Sequence, residues 1–264
     1  MIRRRLAAGL LPISCLLSLT LAGCVDDESG DSTESGETPE LVVFAAASLG
    51  PAFEAYEPAF DDAEVKFSFA GSDDLAAQIR QGGVPDVYAA ANTEIPEQLA
   101  ADGLLQEPRT FVTNELVVGV PEGSGIDDVA DLEEPGLSLA IGGEDVPVGT
   151  YTREVLADLG SGPSEAILAN VASNEPDVAG IVAKLTQGAV DAGFVYRSDI
   201  DAAAGDLEAI ELPADVSPDV AYAIAVTIDA EQPELAQRFV DGVLSGKGQD
   251  VLIDSGFGPA PAGG

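Results

Sequence analysis

The sequence has no histidine and no tryptophan, and it contains only two cysteines and one methionine. Without histidine there can be no Ser-His-Asp triad, no Cys-His pair, no HExxH zinc site and no imidazole-bound iron or copper. Two cysteines cannot supply the four thiolates that an all-cysteine zinc site or an iron–sulfur cluster needs. These absences exclude catalysis that depends on histidine and metal sites that depend on histidine or on four cysteines.

Basic residues are also scarce. The chain has 11 Lys and Arg against 47 Asp and Glu, which gives a formal charge of −36. A nucleic-acid binder needs a basic face to neutralise phosphates, so we expect no nucleic-acid partner. With 264 residues, 46% of them hydrophobic, the chain is long enough for one large domain or two of ordinary size.

The first 23 residues have the pattern of a secretory signal. Arg3, Arg4 and Arg5 precede an apolar stretch over residues 6–22, and small residues follow. Leu21-Ala22-Gly23-Cys24 resembles the lipobox of prokaryotic lipoproteins, which implies lipidation at Cys24 and an extracytoplasmic protein anchored to the membrane. An ordinary signal peptide with an incidental cysteine is the alternative. Cleavage before Cys24 would remove three Arg, take the charge from −36 to −39, and leave one cysteine and no intrachain disulfide.

The composition of residues 24–39 predicts a flexible tether. Residues 26–39 contain six acids and no large apolar side chain, so they cannot bury enough surface to become ordered. The ligand spacing of a calcium-binding loop is absent. We expect the folded part to begin near Leu41.

From there the chain alternates short apolar runs with helical periodicity, which predicts an α/β fold with parallel sheets covered on both faces. The predicted strands are 41–45, 65–69, 85–90, 116–120, 137–141, 193–196 and 220–226. The predicted helices are 49–60, 75–81, 95–101, 127–132, 150–159, 176–187, 233–244 and 248–254.

Two junctions share one design, in which a strand is followed by a serine among small residues and then by a helix. They are Ala45-Ala46-Ala47-Ser48-Leu49 and Ala70-Gly71-Ser72-Asp73. A serine in that place can cap the helix. The same geometry can also form half of an anion cradle, because a helix start exposes free N–H groups beside the hydroxyl. Ligands of open α/β sheets bind beyond the carboxyl ends of strands, where both serines fall.

Two further junctions and one tyrosine extend this pattern. A glycine-rich loop at 142–151 lacks the spacing of nucleotide-binding loops. Pro176 and Asp177 start another helix. Tyr196 ends a strand and offers a phenolic donor, although a buried structural tyrosine is the plainer interpretation.

Together these segments resemble the molybdate-binding proteins of ABC importers, in order and over essentially all of residues 41–257. The resemblance is carried by the segments 43–49, 69–72 with Leu75, Gln78 and Ile79, 85–88, 146–149 with Tyr151, 177–178, 193–196 with Ser198 and Asp199, and 256–257.

The resemblance implies a type II periplasmic-binding-protein-like fold, with two lobes, each a mainly parallel sheet flanked by helices, and a ligand cleft between them. We expect lobe one at 40–112 plus 225–264 and lobe two at 113–224. It also implies a monomer without a cofactor that delivers molybdate or tungstate to an ABC transporter permease. The implied ligands are the hydroxyls and N–H groups of Ser48 and Ser72, the N–H groups of Val148 and Val178, and the Tyr196 hydroxyl. They would hold the metal only as its oxyanion, with no direct metal ligation.

Two features bear on that assignment. Asp73 and Asp74 stand where the family commonly has small uncharged residues, and a carboxylate turned into the cleft would repel an anion. Arg197 follows Tyr196, and in an extended segment it should point away from Tyr196. We therefore expect Arg197 at the surface.

Three alternatives stay open at this stage. The first is a binding protein for another oxyanion such as sulfate. The second is a hydrolase with Ser48 or Ser72 as nucleophile, which would need a base from Lys66, Lys184 or Lys247, all outside the motifs. The third is a structural surface lipoprotein whose serines are only helix caps. The second would be an enzyme, whereas the favoured interpretation is not.

Overall fold

A computed structural model describes residues 38–261 of the chain. The predicted signal segment 1–23, Cys24 and nearly all of the predicted tether 24–39 lie outside the described residues. From Thr38 onward the chain forms one compact unit.

The described residues form two β-sheets with helices packed around them. The strands of the first sheet are β1 (Glu40–Ala46), β2 (Glu64–Ala70), β3 (Val87–Ala90), β4 (Arg109–Asn114), β10 (Val220–Val226) and β11 (Gly258–Pro259). The strands of the second sheet are β5 (Leu116–Pro121), β6 (Leu139–Gly142), β7 (Val171–Glu175), β8 (Ala192–Tyr196) and β9 (Leu207–Glu211). The helices are α1 (Gly50–Tyr56), α2 (Ser72–Arg80), α3 (Glu94–Ala101), α4 (Pro147–Asp158), α5 (Ser161–Ala169), α6 (Val178–Thr186), α7 (Arg197–Ala202), α8 (Pro233–Leu244) and α9 (Lys247–Asp254).

The predicted α/β class and two-lobed fold are confirmed, but the sheets are mixed and not mainly parallel. The first sheet has the order β11-β4-β10-β3-β1-β2 and the second β7-β6-β8-β5-β9. In the first, β1 runs parallel to β2 and β3, whereas β10 runs antiparallel to β3 and β4. In the second, β6 runs parallel to β7 and β8, whereas β5 runs antiparallel to β8 and β9. The antiparallel strands include those that carry the chain between the lobes.

The chain passes between the sheets twice. Glu115 is the only residue between β4 and β5, and residues 212–219 connect β9 to β10. The expected lobe boundaries at 112/113 and 224/225 therefore fall within β4 and β10 of the first sheet.

Aromatic packing holds the first lobe together. Phe53 of α1 and Phe239 of α8 meet edge to face with their ring centroids 5.6 Å apart, and Phe67 of β2 lies 5.9 Å from Phe53. Such pairs contribute about 0.5–1.5 kcal/mol each beyond the area they bury. This cluster fixes α1, and with it the turn that carries Ser48, against the sheet.

In the second lobe a glycine lets a helix approach the sheet. A Cβ on Gly193 of β8 would stand 2.6 Å from the Ile181 side chain of α6. Because residue 193 has no side chain, α6 packs directly on β8, and the start of α6 lies beside the end of the strand. None of the helices within residues 38–261 is both long enough and apolar enough to cross a membrane.

Candidate functional site

All five predicted ligand residues line one cavity at the carboxyl ends of the strands. The space between the residues that line it, counting the part open to solvent, is ≈ 210 Å³. Lobe one contributes β1, the turn after it, the junction of β2 with α2, and Ala91, while lobe two contributes the starts of α4 and α6 and the end of β8. The lining residues are Ala46, Ala47, Ser48, Ala70, Gly71, Ser72, Ala91, Val146, Pro147, Val148, Asp177, Val178 and Tyr196.

Three helices begin at this cavity. Ser72 is the first residue of α2, Val178 is the first of α6, and Val148 is the second of α4 after Pro147. The first N–H groups of a helix have no partner within it, and they carry its positive partial charge. Helix α4 begins three residues earlier than predicted, because Pro147 suits the first helical position, and Val148 thus lies in the first turn.

Protein groups hold the Ser72 side chain. Its Oγ accepts a hydrogen bond from the Ala91 N–H at 3.1 Å, and its carbonyl accepts one from the Tyr88 hydroxyl at 2.7 Å. Ser72 is buried. With a donor already directed at its Oγ, the Ser72 hydroxyl proton is free to be donated into the cavity.

The Ser48 hydroxyl belongs to a buried polar cluster. Its Oγ lies 2.9 Å from the Tyr222 Oη, and the Asn114 Nδ2 lies 3.4 Å from that same Oη. The Asn114 Nδ2 also donates to the Ser198 Oγ at 2.8 Å. Sequence reasoning missed Asn114 and Tyr222. The only signal was a polar Asn-Glu pair between two apolar strands.

Neither serine acts as a side-chain helix cap. Ser48 lies in a short 3₁₀ turn, Ala47–Leu49, and neither this turn nor α2 has a side-chain hydrogen bond at its cap. The hydroxyls contact Tyr222 and the Ala91 N–H instead. This observation weakens the interpretation in which both serines are only caps.

Tyr196 contributes a hydroxyl that no group in residues 38–261 pairs with. It ends β8, its side chain is 1% exposed, and its buried Oη has no hydrogen-bond partner among those residues. Burial raises the pKa of this hydroxyl well above its usual 10.0, so it keeps its proton. A buried polar group without a partner costs about 1–3 kcal/mol, which an acceptor in the cavity would relieve.

Asp199 lies behind Tyr196. Its Oδ2 accepts the Tyr196 N–H at 2.9 Å. Burial raises the pKa of the Asp199 carboxyl to about 7, the Tyr196 N–H opposes the rise, and Asp177 adds to it. The carboxyl therefore changes charge near neutral pH, close to the cavity.

Of the carboxylates near the cavity, that of Asp177 is paired, whereas the buried Asp73 Oδ1 has no hydrogen-bond partner among residues 38–261. Asp177 lines the cavity, but its Oδ1 accepts the Gly180 N–H at 2.9 Å as the cap of α6. Asp73 lines an adjoining pocket with Asp145 of lobe two, and Asp74 is exposed. Burial is the main cause that raises the pKa of Asp73. Asp73 thus faces the gap between the lobes without lining the predicted anion site.

The basic residues lie outside the cavity lining. Arg197 pairs with Glu115 and Glu211, as expected for a residue turned away from Tyr196. Arg153 of α4 donates to the carbonyls of Gly142 at 3.0 Å and Gly149 at 2.8 Å, and so ties the end of β6 to the first turn of α4, which contains Val148. Among the described residues, none of the three lysines that a hydrolase would need lines the cavity.

This lining presents hydroxyl and N–H donors from both lobes, and donors of this kind can hold an anion. Residues 38–261 contain no cluster of three or more His, Cys, Asp or Glu placed to hold a metal ion.

Residues 41–258 match the family of bacterial extracellular solute-binding proteins. The chain belongs to this family. Its members are named for binding a solute and not for catalysis. That supports a binding protein over the hydrolase alternative, and it agrees with a ligand cavity between two lobes.

Within the family, the chain is similar to proteins named for molybdate binding. It is 34% identical to the molybdate-binding protein ModA of Mycobacterium tuberculosis over 96% of this chain and 97% of that one. It is 29% identical to ModA of Escherichia coli over 83% and 88%. The periplasmic molybdate-binding protein of Azotobacter vinelandii has the same fold, with a TM-score of 0.75 and 22% identity over 82% of this chain and 98% of that one. The predicted resemblance is confirmed.

Proposed function

We propose that this solute-binding protein captures molybdate or tungstate outside the cytoplasm and delivers it to an ABC transporter permease. The observation that carries the proposal is the convergence of five predicted donors on one cavity, with the Tyr196 hydroxyl unpartnered among residues 38–261. The molybdate-binding relatives support the choice of anion.

A protein with this much negative charge can bind a dianion through oriented dipoles alone. A hydrogen bond to a charged group contributes about 1.5–3 kcal/mol, so several together reach micromolar to nanomolar affinity after the costs of binding. No cation is needed in the site. The helix starts at Ser72, Val148 and Val178 direct their partial positive charge at the same place.

The donor set also accounts for selectivity. The five predicted ligands act as donors, so they disfavour an oxyanion that carries a proton, because its O–H would find no acceptor among them. Hydrogen phosphate is therefore expected to bind poorly. Sulfate is smaller than molybdate, so it would contact fewer of the donors on the two lobes at once. Molybdate and tungstate nearly coincide in size and charge, and we expect both to bind.

Thermal unfolding with a panel of anions tests this function. A ligand at about 100 times its dissociation constant adds roughly 2.7 kcal/mol to stability. For a protein of this size, that raises the unfolding temperature by several degrees. We expect a rise with molybdate and with tungstate and none with sulfate or phosphate at the same concentration. A rise with sulfate alone would replace the proposed substrate, and no rise with any anion would contradict the function.

Delivery requires the lobes to close on the anion. We propose two lobes that meet at Glu115 and at residues 212–219, a few residues from the expected boundaries at 112/113 and 224/225. The lobes would move about these two crossings and present a closed shape to the permease. The protein would act as a monomer, which light scattering would check. In cells, deleting the gene should abolish molybdate uptake at low external concentration, and uptake unchanged by the deletion would contradict delivery.

Lipid attachment at Cys24 belongs to the same proposal. The anchor would keep the protein beside its permease through a tether of about 15 residues, long enough to span tens of ångströms. Replacing Cys24 with Ser should release the protein from membranes into the medium. The mass of the wild-type protein should include acyl chains, and a mass without them would contradict the anchor.

A further inference from the structure

The buried cluster behind Ser48 has a fixed direction of donation. The Asn114 Oδ1 accepts the Glu115 N–H at 2.9 Å, and a backbone N–H can only donate. This contact fixes the orientation of the amide and turns its Nδ2 toward Ser198 and Tyr222. An amide nitrogen can only donate, so the Tyr222 Oη receives a hydrogen bond from Asn114.

The Tyr222 proton must then go elsewhere. Tyr222 is fully buried, and among the described residues the Ser48 Oγ, at 2.9 Å, is the remaining partner of its hydroxyl. The neighbouring Tyr196 ring is 5.8 Å from that of Tyr222, but the Tyr196 Oη makes no hydrogen bond to it among residues 38–261. If Ser48 donated to Tyr222 instead, the Tyr222 proton would therefore have no acceptor within hydrogen-bond distance among these residues, which is costly. The satisfied arrangement runs from Asn114 to Tyr222 to Ser48, and it leaves the Ser48 proton free for the cavity.

We propose that Asn114 and Tyr222 are positioning residues that make Ser48 a hydrogen-bond donor to the bound anion. The proposal rests on the proposed function of the cavity. Ser72 has a parallel arrangement, because the Ala91 N–H occupies its Oγ and leaves its proton free. In each serine a protein donor thus fixes which way the hydroxyl points, and the donor-only character of the site follows.

The arrangement also connects the lobes. Asn114 ends β4 of lobe one, one residue before the chain enters lobe two, and its amide also donates to Ser198 of α7 in lobe two. The four side chains Ser48, Tyr222, Asn114 and Ser198 are all more than nine-tenths buried. Bulk water therefore does not compete for these hydrogen bonds.

Asn114→Asp reverses the direction of the hydrogen bonds among Asn114, Tyr222 and Ser48 with little change in the shape of the side chain. An ionised carboxylate accepts the Tyr222 proton, Tyr222 accepts from Ser48, and Ser48 then presents a lone pair to the anion. We expect the molybdate dissociation constant, measured by calorimetry at pH 8, to rise about tenfold or more. It should return toward the wild-type value as the pH is lowered and the new carboxyl is protonated.

A double-mutant cycle separates this effect from simple charge repulsion. Repulsion between the new carboxylate and the anion does not depend on Ser48. The loss of affinity caused by a reversed Ser48 hydroxyl does. If this hydrogen-bond relay from Asn114 through Tyr222 to Ser48 operates, the loss of molybdate affinity caused by Asn114→Asp should be at least about threefold smaller in a Ser48→Ala background. An equal loss in both backgrounds would overturn the proposal while leaving the anion site itself intact.

Ser198→Ala is the matched control, because it removes a hydrogen bond from the same amide but not the one to Tyr222. We expect the molybdate affinity of this variant to stay within about twofold of wild type. A loss equal to that of Asn114→Asp would overturn the proposed relay. Should Asn114→Asp fail to fold by circular dichroism, the same cycle is run with Tyr222→Phe and Ser48→Ala. Absence of molybdate binding by the wild-type protein would instead contradict the proposed function.

Discussion

Gly71 of lobe one lies directly against the backbone carbonyl of Pro176 in lobe two, so closely that a Cβ at residue 71 would overlap the carbonyl oxygen. Both residues flank the cavity between the lobes, since Gly71 lines it and Pro176 precedes Asp177 and Val178, which also line it. The backbone of Gly71 has a φ of −57°, which any residue can adopt. Glycine is therefore required here by the approach of the two lobes and not by its conformation.

Gly71→Ala is predicted to hold the lobes apart. The contact is with the backbone carbonyl of Pro176, which cannot rotate away as a side chain could. A methyl group at residue 71 must therefore displace one lobe when the cleft closes. We expect molybdate affinity to fall at least about tenfold, because the donors on the two lobes no longer reach the anion together. Small-angle scattering should show a smaller decrease in the radius of gyration on adding molybdate than in wild type.

Gly162→Ala serves as the control for that change. Gly162 lies in α5, and a Cβ there would meet nothing within 4 Å. It should leave molybdate affinity unchanged, and because Gly162 is the second residue of α5 the gain in stability should stay below the roughly 0.5–1 kcal/mol of a mid-helix position. Equal affinities for Gly71→Ala and wild type would show that this contact does not limit closure.

Tyr196→Phe should separate binding from stability. The variant loses a donor to a charged ligand, so molybdate affinity should fall by about 1.5–3 kcal/mol, or roughly 10–150-fold. The Tyr196 Oη has no partner within residues 38–261, so the free energy of unfolding without ligand should stay the same or rise. Urea unfolding measures the free energy of unfolding, and calorimetry measures the affinity.

Tyr56→Phe is the control. Tyr56 lies in α1 and does not line the cavity, so this variant should leave affinity unchanged. A large loss of unliganded stability in Tyr196→Phe would contradict the role of this hydroxyl.

Asp199 is predicted to make stability and binding depend on pH. Its folded-state pKa of about 7 lies above its usual 3.8, so the folded protein retains a proton that the unfolded chain has released. Its contribution to stability is greatest below pH 4, falls as the pH rises to about 7, and is then constant. Relative to Asp199→Asn, the wild type should lose free energy of unfolding across that range.

The same ionisation should affect the ligand. An ionised Asp199 repels a dianion held by Tyr196, so wild-type affinity for molybdate should weaken between pH 6 and pH 8. Asp199→Asn keeps an acceptor for the Tyr196 N–H and should show no such weakening. Parallel pH profiles for the two proteins would show that Asp199 does not titrate in this range.

Arg153 is predicted to support the site from outside. Its guanidinium donates to the carbonyl of Gly142, at the end of β6, and to that of Gly149, directly after Val148 in α4. Arg153→Met keeps much of the side-chain volume and removes these donors, so the free energy of unfolding should fall by about 1–3 kcal/mol. Affinity should weaken with it, because the Val148 N–H is less firmly placed. An unchanged affinity would mean that the start of α4 is held without this side chain.

The best-predicted parts of the fold are strongly patterned. Strand β10 and helix α8 have the predicted bounds, since an apolar run and a clear helical period define them. Strands β4, β7, β9 and β11 were missed. Strands β7 and β9 form the edges of the second sheet, where a half-exposed strand needs few apolar residues. Helix α5 was also missed, because Gly162 and Pro163 interrupt its pattern.

The site could be predicted as far as its local junctions allow. Ser48, Ser72, Val148, Val178 and Tyr196 each follow or end a strand, which a sequence shows, and the resemblance placed them in one set. Asn114 and Tyr222 could not be found in this way. They meet each other across 108 positions of the chain, and Tyr222 meets Ser48 across 174. Such contacts exist only once β4 and β10 pair in the first sheet. Strand direction likewise depends on where the chain crosses between lobes.

The most direct test is the location of a tungstate ion by anomalous X-ray diffraction from crystals of the protein grown with tungstate. One tungsten peak is predicted in the cavity between the lobes, with the oxyanion oxygens within hydrogen-bond distance of the Ser48, Ser72 and Tyr196 hydroxyls and of the Val148 and Val178 N–H groups. A peak outside this cavity, or oxygens held by arginine or lysine side chains, would contradict the account.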